Sequence, residues 1–124
     1  NSNWRGPVWI PINYLLIEAL QKFGHALGDE FRMEFPTGSG RELNLWQISL
    51  ELEKRLVGIF RRNEEGRRAF NGDIELFQND TAWSELFQFH EYFNGCTGAG
   101  VGASHQTGWT AVVSKMITQL QRWG

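Results

Sequence analysis

Residues 107–123, TGWTAVVSKMITQLQRW, carry the most regular apolar pattern in the chain. Their apolar side chains recur at steps of three and four, which is the spacing of one face of an α-helix. These side chains are Trp109, Val112, Val113, Met116, Ile117, Leu120 and Trp123. Thr107 is a residue type that often caps the first turn of a helix. The stretch therefore predicts one amphipathic helix that begins at Thr107, in a fold of the mainly α class.

Two earlier segments have the same helical period. The first follows Pro11 and ends at Gly28. Its repeating apolar residues are Leu16, Leu20, Phe23 and Leu27. The second starts at Asn44, which together with Gln47 resembles a capping box. Its repeating apolar residues are Leu45, Ile48, Leu52, Leu56 and Ile59. Its charged residues are expected on a solvated helix face: Glu51, Glu53, Lys54 and Arg55.

The connections between these helices are long and polar. Residues 29–43 and 63–82 contain clusters of Gly, Pro, Asn and Asp that are typical of turns. Residues 83–93, WSELFQFHEYF, fit both periods, and we expect a short helical turn followed by an extended segment. Connections of this length are typical of an enzyme whose loops carry its site.

The composition excludes several classes of protein. The 124 residues suit a single domain, and 12 Lys and Arg against 14 Asp and Glu leave a net charge of −2. Nucleic acid is therefore not expected as a partner. The apolar runs are far shorter than the roughly 20 residues that span a bilayer, so no membrane segment is expected. Cys96 is the single cysteine, which excludes an internal disulfide, and no zinc-like grouping appears, so we expect no metal or cofactor.

The ends of the sequence suggest a piece of a longer protein. The chain does not begin with Met, opens directly on residues 4–7, WRGP, and stops one residue after Trp123. We expect the bare apolar faces of such a piece to self-associate or to pack on the missing part. The cellular compartment is left open, with the cytoplasm favoured for a bacterial source.

Glu91 is the first candidate for chemistry. In an extended segment it shares one face with Phe87, Phe89 and Phe93. A carboxylate among aromatic rings loses hydration, which makes it a candidate proton shuttle. The alternative is a partly exposed or Arg-paired Glu without a catalytic role. His90 would point the opposite way and is interpreted as an ordinary surface or core histidine.

The loop at residues 94–108, NGCTGAGVGASHQTG, is rich in glycine, so its backbone could approach a ligand closely. It lacks the Lys-Ser/Thr of a phosphate loop, and the adjacent Ser104 and His105 are poorly spaced for a nucleophile and its base. His105 and Gln106 are instead expected to form hydrogen bonds. The indoles of Trp4, Trp9 and Trp109 could stack on sugar rings, although ordinary aromatic packing is the alternative.

Three motifs together resemble a known family. They are residues 4–9, WRGPVW, with Pro11 and Asn13-Tyr14-Leu15; residues 89–93, FHEYF; and residues 102–110, GASHQTGWT. In this order and spacing they look like the C-terminal part of the catalytic domain of glycoside hydrolase family 63, the mannosyl-oligosaccharide glucosidase family. The likeness covers nearly the whole chain, and a more distant one to trehalases follows the same order.

The resemblance implies a fold, a reaction and a set of site residues. The fold would be part of an (α/α)6 toroid, with residues 1–124 forming a C-terminal fragment of one catalytic domain. The reaction would be inverting hydrolysis of α-glucosidic bonds in oligosaccharides, with Glu91 as general base and the general acid outside this chain. Substrate-binding roles would fall on Trp4, Arg5, Trp9, Asn13, His105, Gln106 and Trp109. The isolated fragment would be inactive.

Other functions stay open at this point. Bacterial relatives of the resembled family hydrolyse mannosylglycerate or glucosylglycerate, so the substrate could be a small glycoside. A non-catalytic carbohydrate-binding or scaffold domain would keep the same motifs, and a helical interaction module would carry them by chance.

Overall fold

The computed structural model describes residues 5–123, so Trp4 lies outside the described part of the chain. Helices hold 46% of the described residues and strands 11%, which confirms the mainly α class. The helices are α1 (Ile10–Leu27), α2 (Leu45–Gly58), α3 (Glu75–Asn79), α4 (Thr107–Thr110) and α5 (Val113–Trp123), with a 3-10 turn at Ala69–Asn71. The strands are β1 (Arg32–Glu34), β2 (Glu42–Asn44), β3 (Tyr92–Phe93) and β4 (Gly100–Val101). No helix within residues 5–123 combines the length and hydrophobicity needed to cross a membrane.

The first two predicted helices are confirmed together with their end signals. Gly28 follows α1 with φ of 75°, a conformation that favours glycine. At the start of α2 the Asn44 side chain accepts a hydrogen bond from the Gln47 backbone N–H at 2.8 Å. The Gln47 side chain accepts one from the Asn44 N–H at 3.0 Å, which completes the capping box.

The predicted C-terminal helix is broken into α4 and α5. Residue Gln106, not Thr107, precedes the first turn of α4, and it makes no side-chain cap. At the break, the N–H groups of Ser114 and Lys115 bond to carbonyls only three residues back, at Ala111 and Val112. The Ser114 hydroxyl also donates to the Ala111 carbonyl at 2.8 Å. Hydroxyl groups that bond to the backbone in this way compete with the helical ladder, which the apolar period does not report.

The two polar connections contain more structure than their composition indicated. Strands β1 and β2 form an antiparallel hairpin inside the first, with Met33 opposite Leu43. The second holds the 3-10 turn and α3. There the buried Gln78 side chain accepts from the Arg68 backbone N–H at 3.0 Å and donates to the Arg68 and Gly72 carbonyls. One amide therefore gives this connection a fixed shape.

Helices α1, α2 and α5 pack around the main core, but α1 does not present the face that its period predicts. Ile10 and Ile17 are buried, whereas Leu16 is 49% and Phe23 63% exposed. A Cβ added at Gly24 would lie 3.2 Å from the Trp46 backbone nitrogen, so α1 approaches α2 closely on its glycine side. The apolar face of α1, defined here as Ile12, Leu15, Leu16, Phe23 and Leu27, is therefore exposed. The wider ring of helices stays a prediction.

Glu53 is a second correction, because the expected solvated residue is 0% exposed. Its Oε1 accepts a hydrogen bond from the Gln21 side chain at 3.2 Å, and its buried Oε2 has no hydrogen-bond partner among residues 5–123. Burial raises the pKa of Glu53 to about 7; the Gln21 hydrogen bond and the Lys115 charge oppose this rise, and the Glu18 charge adds to it. The charge pattern of α2 did not indicate that Glu53 is buried, because α1 and α5 cover the side of α2 that carries it.

Candidate functional site

The three motifs of the sequence meet around β3. Val8 and Phe93 exchange two backbone hydrogen bonds, of 2.8 and 2.9 Å, so the first motif lies along one edge of the second. On the other edge β3 pairs with β4, with Tyr92 opposite Val101 and Phe93 opposite Gly100. The third motif continues directly from β4. Segments far apart in the chain thus form one small surface.

Glu91 lies half-buried at this meeting point. Its backbone N–H donates to the Ala103 carbonyl at 2.9 Å, and its Oε2 accepts from the Ala103 N–H at 3.3 Å. Oε2 lies 2.6 Å from the position that a Cβ on Gly102 would occupy, and Gly102 has φ of 75°. A side chain at residue 102 would therefore displace the carboxylate. The loop therefore supplies both a backbone N–H donor to this carboxylate and the space that it occupies.

The aromatic ring beside this carboxylate belongs to Tyr92. The Tyr92 Cε1 atom lies 2.9 Å from the same Cβ position on Gly102. The rings of Phe89 and Phe93 instead contact Phe60, with centroids 6.4 and 5.5 Å apart, and the Phe87 ring lies 6.1 Å from that of Phe70. Phe93 therefore lies in the core and Phe89 packs against it, whereas Phe87 is 45% exposed beside Phe70. The extended segment does not alternate strictly, since only Tyr92 and Phe93 are paired as a strand.

Three aromatic rings form a contiguous cluster next to Glu91. Trp9 stacks on Tyr92 with centroids 4.7 Å apart and 24° between planes, and it meets the edge of Trp109 at 6.1 Å. Trp9 is buried, whereas Trp109 is 37% exposed. Trp109 is thus the indole that is accessible, with Trp9 beneath it. Sequence reasoning assigned no site role to Tyr92, although its position directly after Glu91 was a usable signal.

The remaining predicted residues lie around this cluster. Asn13 donates its side-chain amide to the Trp9 carbonyl at 2.8 Å, so part of its hydrogen-bonding capacity serves the start of α1. The exposed His105 ring lies 6.1 Å from that of Phe89. Gln106 is exposed, and its backbone N–H donates to the Phe89 carbonyl at 2.7 Å. Arg5 is exposed at the start of the described chain.

Glycines of the loop serve close contacts within the chain itself. A Cβ on Gly95 would lie 2.2 Å from the Gly6 carbonyl oxygen, and one on Gly100 would lie 2.1 Å from the His90 ring. The backbone of the loop therefore makes close approaches, as expected. In this structure it approaches the first and second motifs of the chain rather than a ligand. Burial lowers the pKa of the His90 imidazole that rests on Gly100.

A cleft of about 480 Å³ lies between α2 and the loop. Its lining includes Asn13, Arg55, Gly95 and Cys96, but neither Glu91 nor Trp109. Within residues 5–123 no group of three or more His, Cys, Asp or Glu side chains is placed to hold a metal ion.

Comparison with known proteins places these motifs in a family. A 47% identical relative, the uncharacterized protein YMR196W of Saccharomyces cerevisiae, matches 97% of this chain. The mannosyl-oligosaccharide glucosidase of the same yeast is 24% identical over 92% of the chain. The chain spans only 11% of the length of either relative. No solved structure matches.

A family model described as the mannosylglycerate hydrolase MGH1-like glycoside hydrolase domain matches residues 1–110. Together with the glucosidase relative, this match confirms the resemblance to the family 63 enzymes. It covers all three motifs and both sides of the surface around Glu91. The chain therefore belongs to the MGH1-like glycoside hydrolase domain family.

Proposed function

We propose that this chain is part of the catalytic domain of an inverting glycoside hydrolase in which Glu91 is the general base. The observation that carries the proposal is the Glu91 carboxylate itself, half-buried, held by the Ala103 N–H at 3.3 Å and bordered by the Tyr92 ring. A general base must be oriented and partly desolvated yet accessible to water. The accessible face of Trp109 would pack on a sugar ring, with Arg5, Asn13, His105 and Gln106 able to bind hydroxyl groups.

The mechanism needs a second carboxyl group. In an inverting glycosidase a carboxylic acid protonates the leaving oxygen while the base deprotonates the attacking water, and the two groups lie roughly 6.5–9.5 Å apart. We propose that the acid comes from outside these 124 residues, from another part of an (α/α)6 toroid. Asp29, Asp73 and Asp80 are not assigned this role, because they lie in the polar connections. The isolated chain would then be inactive.

The preferred substrate is an oligosaccharide with a glucosidic bond, because one relative is named a mannosyl-oligosaccharide glucosidase, and the α configuration is part of our proposal. A second candidate is a small glycoside such as mannosylglycerate or glucosylglycerate. The description of the matching family model favours this second candidate.

The test is hydrolysis by the full-length protein with the product followed by proton NMR. We expect the sugar to be released first as the β-anomer from an α-linked substrate, because water attacks from the face opposite the leaving group. Parallel assays with an α-glucosidic oligosaccharide, mannosylglycerate and glucosylglycerate identify the substrate class. Initial release of the α-anomer would contradict an inverting mechanism, and no hydrolysis of any of the three would favour a non-catalytic carbohydrate-binding domain.

The apolar face of α1 supports a proposal about partners. Its five large side chains are each about half exposed or more, which is unusual for one helix of a folded domain. We propose that other helices of the toroid cover this face in the full-length protein. The isolated chain is then expected to self-associate in light scattering, and Phe23→Glu with Leu27→Glu to shift it towards the monomer. A wild-type chain that stays monomeric at high concentration would contradict this.

A further inference from the structure

The backbone directly before and at Glu91 is held by the third motif at three successive residues. The Phe89 carbonyl accepts from the Gln106 N–H, and the His90 carbonyl accepts from the Thr110 hydroxyl. The Glu91 N–H donates to the Ala103 carbonyl. The last two groups belong to one peptide unit, which is planar. That plane is therefore fixed from both sides, by Ala103 and by Thr110.

Thr110 makes the only one of these three contacts that uses a side chain. It is 0% exposed, so it cannot touch a substrate in this structure. Its backbone N–H bonds to the Gln106 carbonyl at 2.9 Å, which places the hydroxyl at the end of α4. The neighbouring residue, Trp109, is the accessible indole of the aromatic cluster. One short helix thus connects the exposed ring to the peptide that carries Glu91.

The His90 side chain is held by packing contacts of its own. Its ring lies directly on Gly100, and it meets the edge of Phe93 with centroids 6.2 Å apart. With the ring enclosed, rotation of the peptide between His90 and Glu91 is resisted mainly by the bonds to its two ends. Losing the hydroxyl would free the carbonyl end while leaving the ring and the Ala103 contact in place.

We propose that Thr110 is a positioning residue for Glu91: its buried hydroxyl holds the His90 carbonyl and so sets the direction of the base. The inference rests on the proposed role of Glu91. Thr110 lies within the third motif, but it was assigned no role from the sequence alone. A threonine one position after a tryptophan does not by itself indicate a function.

The test compares Thr110→Val with Thr110→Ser in the full-length protein. Valine keeps the shape of threonine and removes the hydroxyl, whereas serine keeps the hydroxyl. We expect Thr110→Val to lower kcat by roughly 10- to 100-fold, because a misplacement of about 1 Å can cost that much, with KM nearly unchanged. Thr110→Ser should recover most of the wild-type kcat. Thermal unfolding of each variant shows whether the enzyme is folded at the assay temperature.

Each outcome decides the proposal. A selective loss of kcat in the valine variant with rescue by serine supports it. An unchanged kcat in folded Thr110→Val, or equal losses in both variants, overturns it. If Thr110→Val does not fold, Thr110→Ala, which also lacks the hydroxyl and differs from Thr110→Ser only by that group, takes its place under the same criteria. Glu91→Gln is measured in parallel: full turnover in that variant overturns both proposals, whereas its inactivity with unchanged Thr110→Val overturns the positioning role alone.

Discussion

Glu91→Gln in the full-length protein is expected to lower kcat by roughly 10²- to 10⁴-fold, the usual contribution of a general base. Glutamine has nearly the shape of glutamate and can still accept the hydrogen bond from the Ala103 N–H, which spans 3.3 Å in this structure. The amide cannot take a proton from water. The loss should therefore appear in kcat with little change in KM or in thermal stability. Steady-state kinetics on the substrate identified by NMR measures both constants.

Glu64→Gln is the matched control for this experiment. Glu64 is exposed in the polar connection between α2 and α3, so the same chemical change there should leave kcat at the wild-type value. A Glu91→Gln enzyme that turns over like the Glu64→Gln enzyme would show that another group activates the water.

Glu53→Gln is expected to stabilise the protein above neutral pH. The pKa of Glu53 is about 7 in the folded chain, above its ordinary value of 4.5. The folded state holds the Glu53 proton more tightly than the unfolded state does. The free energy of unfolding of the wild type therefore falls as pH rises from about 4.5 to 7 and, as far as Glu53 is concerned, falls no further above that range. This fall in the free energy of unfolding is on the order of 3 kcal/mol, since one pKa unit corresponds to about 1.4 kcal/mol. Glutamine is neutral at every pH and avoids this loss.

The measurement is calorimetric unfolding of both proteins at pH 5 and pH 8. The stability of the variant relative to wild type should rise between these two values. Glu51→Gln is the control on the same helix, because Glu51 pairs with Arg41 and Lys54 at 3.4 and 3.3 Å and its pKa is lowered. That variant should gain nothing at pH 8. If the relative stability of Glu53→Gln is the same at pH 5 and pH 8, Glu53 does not titrate in this range.

Helices α1 and α2 could be predicted because their end signals are local. Asn44 and Gln47 form their capping box within three residues, and Gly28 terminates α1 by its own backbone conformation. The exposed apolar face of α1 and the burial of Glu53 could not be predicted. Both depend on which neighbours cover each flank of a helix, and a helical period does not identify the neighbour.

The sequence identified the three motifs but not their geometry, and the functional roles of the site residues stay predictions. The motifs around Trp9, Glu91 and Trp109 were recognised, and the structure brings Trp9 and Trp109 into contact. The aromatic neighbour of Glu91 was assigned incorrectly, because a strand pattern places alternate residues on one face, whereas residues 86–90 have no regular secondary structure and the chain bends at Glu91. The role of Thr110 depends on a hydrogen bond between residues 20 positions apart in the chain.

The position that a Cβ on Gly102 would occupy provides a criterion for comparing other sequences that carry the same motifs. A larger residue at this position would compete with the Glu91 carboxylate for one volume, since a Cβ there lies 2.6 Å from Oε2. On the proposed role of Glu91, we expect a sequence with glutamate but no glycine at the corresponding positions either to have a differently shaped loop or to lack the activity. The residues at both positions, rather than the glutamate alone, would then indicate which related sequences keep the geometry around this carboxylate.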